Sequence, residues 1–200
     1  MQLIMSPASP FVRKVRVTVR ELGLEDRVEE IPVATTPLAS APQALAANPT
    51  GKIPSLIRPD GPALHDSRVI CRYLDHVADG NLYPESRVWE ILTLESLALA
   101  IAEAAVSMVY EARFKGTEGA SGDWIAAQWG KVEGGLAGVE REWLSHLEGP
   151  VNAGQITLAC ALAYLDFRMP ERGWRAAVPA VAGWFETFGQ RPSMTATQPE

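Results

Sequence analysis

Short apolar runs alternate with amphipathic stretches over the first third of the chain. The stretch at residues 66–77 has the period of a helix, because one face gathers the apolar residues Val69, Ile70, Tyr73 and Leu74. A Pro-Asp-Gly turn at residues 59–61 separates two short apolar runs. The pattern predicts strands at residues 2–5, 28–33, 54–57 and 62–64, and helices at residues 11–22, 41–47 and 66–77.

These predicted elements follow the order β-α-β-α-β-β-α, which is that of a thioredoxin-like domain. We therefore expect residues 1–77 to form an α/β domain, with a four-stranded mixed sheet covered by helices on both sides. Residues 78–86, which include Gly80 and Pro84, are the expected linker to the rest of the chain.

The remaining residues, 87–200, show helical periodicity throughout and predict an all-α domain. The third of its four helices is apolar nearly all round, so it belongs at the centre of a bundle. Asn152 and Gln155 form a capping box at the start of that helix. The polar residues after Arg191 are expected on the surface. The four helices are predicted at residues 87–114, 123–147, 153–168 and 180–189.

Composition and charge narrow the classes of partner. The chain has 200 residues and a net charge of −6, which argues against nucleic acid, since phosphate binding requires a basic face. The charge is uneven, because residues 1–77 contain 9 Lys and Arg with 8 Asp and Glu, whereas residues 78–200 contain 9 and 16. The longest apolar stretches are shorter than a membrane span, so no membrane partner is expected.

The cysteines and histidines indicate no metal or dithiol chemistry. Cys71 and Cys160 fall in predicted helices, where buried structural thiols are more common than catalytic ones. With no export signal in the sequence, we expect both thiols to be reduced and the protein to be cytoplasmic. The three histidines lack metal-ligand spacing, so no metal is expected.

Ser9 is the first candidate for chemistry. It precedes Pro10, which suits the first turn of a helix. Ser9 would then lie at the positive end of the helix dipole, where dipole and hydroxyl together can stabilise a bound thiolate. The alternative is that Ser9 only caps the helix, as serine often does.

Ile53 and Pro54 open a predicted strand after a glycine-containing turn. If their peptide bond is cis, the Ile53 N–H and C=O groups can pair with an extended peptide. The alternative is an ordinary trans proline at a sheet edge. Lys52 beside them can meet a carboxylate or remain solvated.

Asp66 and Ser67 begin the last helix of the first domain. The Ser67 hydroxyl and the first backbone N–H groups form an anion site that suits an α-carboxylate, and Asp66 can accept from the neighbouring α-amino group. The alternative is a plain helix cap. Each motif is weak alone, whereas their joint occurrence at strand and helix ends is a strong signal.

Together these motifs resemble those of the cytosolic glutathione transferase family. The matching stretches are residues 6–14, 48–56 and 64–74, and residues 159–168 look like a stretch common in bacterial members. The resemblance implies a glutathione site in the thioredoxin-like domain, an apolar acceptor pocket against the helical domain, and a homodimer. It implies glutathione as co-substrate and no prosthetic group.

The resemblance also carries roles over to individual residues. Ser9 matches the thiol-activating serine of the serine-type classes. Ile53 matches the residue whose backbone pairs with the cysteinyl unit, Pro54 the cis-proline, and Ser67 the ligand of the γ-glutamyl carboxylate. Phe11 and Lys52 complete the expected glutathione-binding set. Two departures are Asp66, where the family usually has Glu or Gln, and the Asn152–Gln155 cap, where it usually has Ser or Thr followed by Asp.

Met108, Tyr110 and Phe114 fall where the family places acceptor-site residues, although helix packing also explains them. The sequence thus predicts a glutathione transferase that activates the glutathione thiol for attack on a small, largely apolar electrophile, as in detoxification. A glutathione-dependent lyase, isomerase or peroxidase remains open, as does a non-catalytic glutathione-binding module. The identity of the acceptor also remains open.

Overall fold

The computed structural model describes residues 1–199, apart from the side chain of Thr117. The chain divides into two compact units, one formed by residues 1–86 with those from 191 onward, the other by residues 87–190. The expected linker belongs to the first unit. The Asp75 carboxylate fixes it there by accepting from the backbone N–H groups of Leu82 and Tyr83, at 2.9 and 3.3 Å.

The first unit has the predicted thioredoxin-like order. Its strands are β1 (Gln2–Met5), β2 (Glu29–Pro32), β3 (Ser55–Ile57) and β4 (Leu64–His65), and its helices before residue 86 are α1 (Pro10–Glu21), α2 (Pro42–Ala47) and α3 (Ser67–Val77). The strands form one sheet in the order β2-β1-β3-β4. β1 is parallel to β2 and antiparallel to β3, and β3 is antiparallel to β4, so the predicted mixed sheet is confirmed.

The alternation of side chains along β1 explains why helices cover both faces of the sheet. Leu3 and Met5 point into a core formed with α1 and α3. Ile4 points the other way and packs against Ala44 and Ala47 of α2. The central strand is therefore buried on both sides.

The residues after Arg191 lie only partly on the surface: the expectation was wrong for Ser193, Met194 and Thr197, which are buried, and holds for Pro192, Thr195, Ala196 and Gln198, which are exposed. They form a short helix, α9 (Pro192–Thr195), which packs against α1. The Glu21 carboxylate of α1 pairs with Arg191 at 2.7 Å and also accepts from the Ser193 hydroxyl. Arg13, which is 5% exposed, donates to the Met194 carbonyl at 2.9 Å. The polar character of this segment is thus satisfied by α1 rather than by water.

The second unit is helical, as predicted. Its helices are α4 (Val88–Gly119, broken at Gly116), α5 (Gly122–Glu142), α6 (Leu144–Leu147), α7 (Ala153–Arg168) and α8 (Pro179–Phe188). α7 packs against α4 and is buried nearly all round. The capping box at its start is confirmed, because Asn152 accepts from the Gln155 N–H at 3.2 Å and the Gln155 side chain accepts from the Asn152 N–H at 2.9 Å.

The segment Glu85–Gly116 is long and apolar enough to cross a membrane by length and composition alone, which the sequence analysis did not predict. Of its most apolar window, 56% is buried inside the protein. Core helices of water-soluble proteins meet the same criterion, and this segment includes the part of α4 that packs against α7.

Candidate functional site

In the first unit, three residues from three strands lie side by side in one cross-strand row near the strand ends. Ile4 of β1 pairs with Ser55 of β3, and Ser55 pairs on its other side with His65 of β4. β1 ends one residue beyond this row and leads through residues 6–9 into α1. Pro54 immediately precedes the row, and Asp66 immediately follows it. The register therefore brings the three sequence motifs to the same edge of the sheet.

Ser9 is the N-cap of α1. Its Oγ accepts a hydrogen bond from the Val12 N–H at 3.3 Å, so the capping alternative is correct as far as it goes. Capping uses only a lone pair, and no described residue accepts the Ser9 hydroxyl proton. Pro10 carries no N–H, and no residue among 1–199 accepts from the Phe11 N–H. The start of α1 thus offers two donors, one hydroxyl and one amide.

The Ile53–Pro54 peptide bond is cis, as the resemblance implies. Ile53 lies outside β3, and within the described residues its N–H and C=O make no hydrogen bond. A donor and an acceptor of the same residue are therefore available just before β3 begins, where the backbone of an extended peptide can pair with them.

Asn48 holds the loop before this proline; the sequence placed it in a matching stretch but predicted no role for it. Its buried amide donates to the Lys52 carbonyl at 3.1 Å, and its Oδ1 accepts from the Thr50 N–H at 3.0 Å. Gly51 has φ +68°, and a Cβ there would lie 2.4 Å from the Ser40 Oγ. An Asn-Pro-Thr-Gly turn before an Ile-Pro dipeptide is the signal that could have identified both residues.

Lys52 is exposed, and its ammonium forms no ion pair with any described residue. It stands beside the unpaired Ile53 backbone. A surface cation in that position can meet a ligand carboxylate, and it costs little to leave solvated.

Asp66 caps α3 with a positive φ of 70°. Its Oδ1 accepts from the Arg68 N–H at 2.8 Å, and the Arg68 guanidinium lies 3.3 Å from each carboxylate oxygen. Partial burial raises the pKa of the Asp66 carboxyl, but the hydrogen bonds from Arg68, with the charges of Arg68 and Lys14, outweigh it and the pKa lies below its ordinary value. The carboxylate is therefore ionised at neutral pH and largely engaged by Arg68.

Ser67 is the first residue of α3 and is 5% exposed. Neither its hydroxyl nor its N–H has an acceptor among the described residues. The Ser67 hydroxyl is therefore available to donate to a ligand at the start of the helix. With the positive end of the helix beside it, Ser67 presents two donors that suit an anion.

The first unit therefore offers donor groups at both ends of one row and an unpaired backbone residue between them. This arrangement suits an extended, anionic peptide more than a compact ligand. Among residues 1–199, no group of three or more His, Cys, Asp and Glu side chains could hold a metal ion.

The second unit contains a cavity of about 750 Å³. Met108 lines it, whereas Tyr110 and Phe114 do not and instead pack on each other, with ring centroids 5.3 Å apart. Tyr110 and Phe114 share one face of α4, whereas Met108 lies on another, and the expected role of the three residues at an acceptor site stays a prediction. The lining consists of Met108, Val109, Ala112, Arg113, Ile125, Arg168, Met169, Glu171 and Arg172.

Two family models match the chain in the order of its two units. The model of the glutathione S-transferase N-terminal domain matches residues 8–77. The model of the glutathione S-transferase C-terminal domain matches residues 122–187. Together they cover more than half of the chain.

Three relatives are similar over nearly the whole chain. A glutathione transferase family member from Pseudomonas fluorescens Pf-5, solved with bound glutathione, is 40% identical with a TM-score of 0.96, and the match covers 100% of this chain and 98% of that one. The same family member was also solved with S-(propanoic acid)-glutathione, at a TM-score of 0.92.

The other two relatives were found by sequence. Glutathione S-transferase 3 from Zea mays is 32% identical over 98% of this chain and 92% of its own length. The uncharacterized GST-like protein YibF from Escherichia coli K12 is 29% identical over 100% and 98%. From the two matched domain models, the shared fold and these full-length similarities, the chain belongs to the glutathione S-transferase family.

Proposed function

We propose that this chain is a glutathione transferase of the serine type, which activates the glutathione thiol for attack on a small electrophile. The observation that carries the proposal is the row formed by Ile4, Ser55 and His65. That row brings the start of α1, the cis-proline loop and the start of α3 to one edge of the sheet.

The dimensions of the row suit a tripeptide. Neighbouring strands lie about 4.8 Å apart, so β1 and β4 are separated by about 10 Å. An extended chain of three residues spans at most about 10 Å. Glutathione can therefore place its sulfur near Ser9 and its γ-glutamyl carboxylate near Ser67.

Each unpaired group then has a partner in the bound peptide. The Ser67 hydroxyl and N–H donate to the γ-glutamyl carboxylate, and Ile53 pairs through its backbone with the cysteinyl unit. Lys52 meets the second carboxylate of the peptide. Asp66 accepts from the α-amino group with the lone pairs that Arg68 leaves available, which makes this the weakest of the proposed contacts.

Ser9 stabilises the nucleophile without becoming one. Its hydroxyl donates to the thiolate while its lone pair keeps the Val12 N–H, and the Phe11 N–H adds a second donor. The helix dipole favours an anion by up to about 2 kcal/mol in a partly buried site. A charge-assisted hydrogen bond adds about 1.5–3 kcal/mol, and each unit of thiol pKa corresponds to about 1.4 kcal/mol. Together these effects can lower the thiol pKa by about two units.

The relatives support this assignment. The Pseudomonas relative binds glutathione and a glutathione carrying a substituent on sulfur, and the Zea mays relative is a named glutathione S-transferase. Neither cysteine forms a disulfide, which is in keeping with our proposal of a reducing, cytoplasmic compartment.

The proposal is tested by titrating the full chain with glutathione in a calorimeter and then adding 1-chloro-2,4-dinitrobenzene. The thiolate forms a sulfur–carbon bond, chloride leaves with the electron pair, and the thiol proton passes to solvent. Glutathione binding with conjugation above the uncatalysed rate is the expected result. Absence of glutathione binding would overturn the proposal. Binding without turnover of any electrophile, unsaturated isomer or peroxide would favour the non-catalytic module.

We also propose a homodimer. The proposal rests on the resemblance to the family, because single exposed apolar side chains such as Trp89 are normal on a protein surface. Sedimentation velocity on the full chain tests this, and a monomer at micromolar concentration would contradict it.

A further inference from the structure

The cavity of the helical unit has a charge opposite to that of its surroundings. Arg113, Arg168 and Arg172 line it together with a single acid, Glu171, which leaves a surplus of two positive charges. The chain around it is acidic, with 16 Asp and Glu against 9 Lys and Arg in residues 78–200. One-third of the cations in this part of the sequence therefore lie around one cavity.

Two of these three arginines also differ from the other cations in their pairing: Arg168 shares a side-chain hydrogen bond with Tyr164, whereas Arg113 and Arg172 have no hydrogen-bonding side-chain partner among the described residues. Within residues 1–199, none of the three forms an ion pair, and Glu171 forms none either. The remaining Lys and Arg of residues 78–200 each have a side-chain partner: Arg87 with His146, Lys115 with Glu111, Lys131 with Gln128, Arg141 with Glu142, Arg175 with Asp166 and Arg191 with Glu21.

Aromatic rings hold the three guanidinium groups instead. Arg168 lies over the Phe167 ring at 4.1 Å from its centroid, and Arg172 lies over the Trp129 ring at 5.0 Å. Arg113 lies 6.0 Å from the centroid of Phe114. Stacking engages the flat face of a guanidinium and leaves its N–H edge available, and that edge matches a carboxylate in bidentate geometry.

The rest of the lining is apolar. Met108, Val109, Ile125 and Met169 supply surface that suits a hydrocarbon or aromatic group. The volume of about 750 Å³ lies in the range of pockets for small organic ligands. An apolar wall beside guanidinium groups that form no ion pair among the described residues is complementary to an organic acid rather than to a neutral molecule.

We propose that this cavity binds the carboxylate of an acidic acceptor, so that the electrophile of this transferase is an apolar or aromatic molecule that carries a carboxylate. The identification of the bound acid as the acceptor rests on the proposed function, whereas the carboxylate site itself does not depend on it. Arg172 is the main ligand, because it lies over the Trp129 ring and makes no side-chain hydrogen bond among the described residues, and Arg168 adds the N–H groups that Tyr164 does not engage.

The first experiment measures equilibrium binding without any reaction. 4-Methylbenzoate and its methyl ester have the same ring and differ in charge, and each is titrated into the full chain by calorimetry. We expect the acid to bind more tightly than the ester. Because both arginines are exposed, Arg168→Gln and Arg172→Gln should each weaken acid binding by about two- to fivefold and leave ester binding unchanged.

Arg141→Gln is the matched control, since it removes the same charge from an exposed arginine that pairs with Glu142 and does not line the cavity. It should leave binding of both molecules unchanged. Glutathione affinity should also be unchanged in Arg168→Gln and Arg172→Gln. If it falls as far as acid binding does, the cavity serves a carboxylate of glutathione itself and the proposal is overturned.

The second experiment links the cavity to the reaction. With glutathione present, 4-(chloromethyl)benzoate and its methyl ester both react by formation of a sulfur–carbon bond at the benzylic carbon with departure of chloride. After division by the uncatalysed rates, kcat/KM for the acid should exceed that for the ester, and Arg168→Gln should abolish the difference.

The outcomes separate the two proposals. Arginine-dependent binding of 4-methylbenzoate without any conjugation leaves the carboxylate site standing and overturns the transferase function. The opposite outcome is conjugation of 4-(chloromethyl)benzoate and its methyl ester without preference, together with acid binding that survives Arg168→Gln and Arg172→Gln. That outcome overturns the carboxylate site and leaves the transferase function standing.

Discussion

The Oγ of Ser9 accepts from the Val12 N–H at 3.3 Å, which engages one lone pair of the oxygen and leaves its proton to be donated. No described residue accepts that proton, so it is available to a group bound beyond the helix end. The same atom can therefore cap the helix and stabilise an anion, so the two interpretations of Ser9 from the sequence are compatible.

Ser9→Ala should remove both effects. We expect a loss of about 1 kcal/mol in the free energy of unfolding from the missing cap. We also expect the pKa of bound glutathione to rise and kcat/KM to fall by about ten- to a hundredfold, because one charge-assisted hydrogen bond is lost. Thiolate absorbance as a function of pH measures the pKa of the bound thiol, and steady-state kinetics measure kcat/KM.

Ser9→Thr is the control, because it keeps a hydroxyl and can cap the helix. It should retain most of the stability and a lowered thiol pKa. An unchanged thiol titration in Ser9→Ala would mean that the hydroxyl does not contact the sulfur.

Ser67→Ala should weaken glutathione binding with little effect on the fold. The Ser67 hydroxyl has no partner among the described residues, so its removal breaks no hydrogen bond within the protein. A lost donor to a carboxylate weakens binding by about tenfold or more. Calorimetric titration with glutathione measures this, and Ser86→Ala, at an exposed position, should bind as the wild type does. Equal affinities in the two variants would contradict the role of Ser67.

The thioredoxin-like order could be predicted from the sequence because each of its elements depends on residues that are close together in the chain. Alternating apolar residues, proline before α1 and the turn at residues 59–61 each depend on neighbours in the chain. Once the order of elements is known, the ends of β1 and β4 and the start of β3 must meet at one edge. The convergence of Ser9, Pro54 and Ser67 on that edge follows from the register.

The contacts that could not be predicted join residues far apart in the chain. The polar composition after Arg191 suggested an exposed tail, because Ser193 and Thr197 are hydrophilic side chains. Their partners Glu21 and Arg13 lie on α1, and the periodicity of apolar residues within one segment does not predict a contact with a distant one. The cavity arginines were missed for a similar reason, since Arg113 and Arg172 come together only through the packing of separate elements.

Glu21→Gln should detach α9 from α1. The bonds from Arg191 and Ser193 hold the pKa of the Glu21 carboxyl below its ordinary value, although partial burial works to raise it. A carboxyl with a lowered pKa stabilises the fold above its ordinary value near pH 4.3 and loses that contribution as the pH falls through the lower, folded value. We expect a loss of about 1–2 kcal/mol at pH 7 by urea unfolding.

The stability difference between wild type and Glu21→Gln should shrink on acidification. Glu142→Gln is the control, because the Glu142–Arg141 pair is exposed and should contribute under about 0.5 kcal/mol. If Glu21→Gln cost no more than Glu142→Gln at pH 7, the pairing with α9 would not contribute to stability.

His146 should make the helical unit sensitive to mild acid. Burial and the positive charge of Arg87 lower the pKa of His146, and they outweigh the hydrogen bond with Asn152 and the negative charge of Glu90, which raise it. Arg87 donates to the Nδ1 of the ring at 2.8 Å, a contact that only an unprotonated nitrogen can accept. Protonation therefore breaks a bond in the folded state.

The sign of this effect follows from the depressed pKa of a base. Between the folded pKa and the ordinary value near 6.5, the unfolded chain binds more protons than the folded one, so the free energy of unfolding falls as the pH is lowered through that window. His146→Gln should show a shallower decline between pH 7 and pH 5 in thermal unfolding. His76→Gln, at an exposed position, should keep the wild-type slope, and a wild-type slope in His146→Gln would contradict the assignment.

Gly51→Ala should disturb the loop that carries Ile53. The φ of +68° disfavours any side chain, and the new Cβ would lie 2.4 Å from the Ser40 Oγ and 2.7 Å from the Ser40 Cβ. We expect a loss of about 1–3 kcal/mol in the free energy of unfolding. Because the Ile53 backbone would move with the loop, glutathione affinity should fall as well.

The matched control is Gly130→Ala, at an exposed position of α5, where a Cβ meets nothing within 4 Å and should stabilise the helix by about 1 kcal/mol. If the free energy of unfolding and the glutathione affinity of Gly51→Ala both equal those of the wild type, this turn does not position the site.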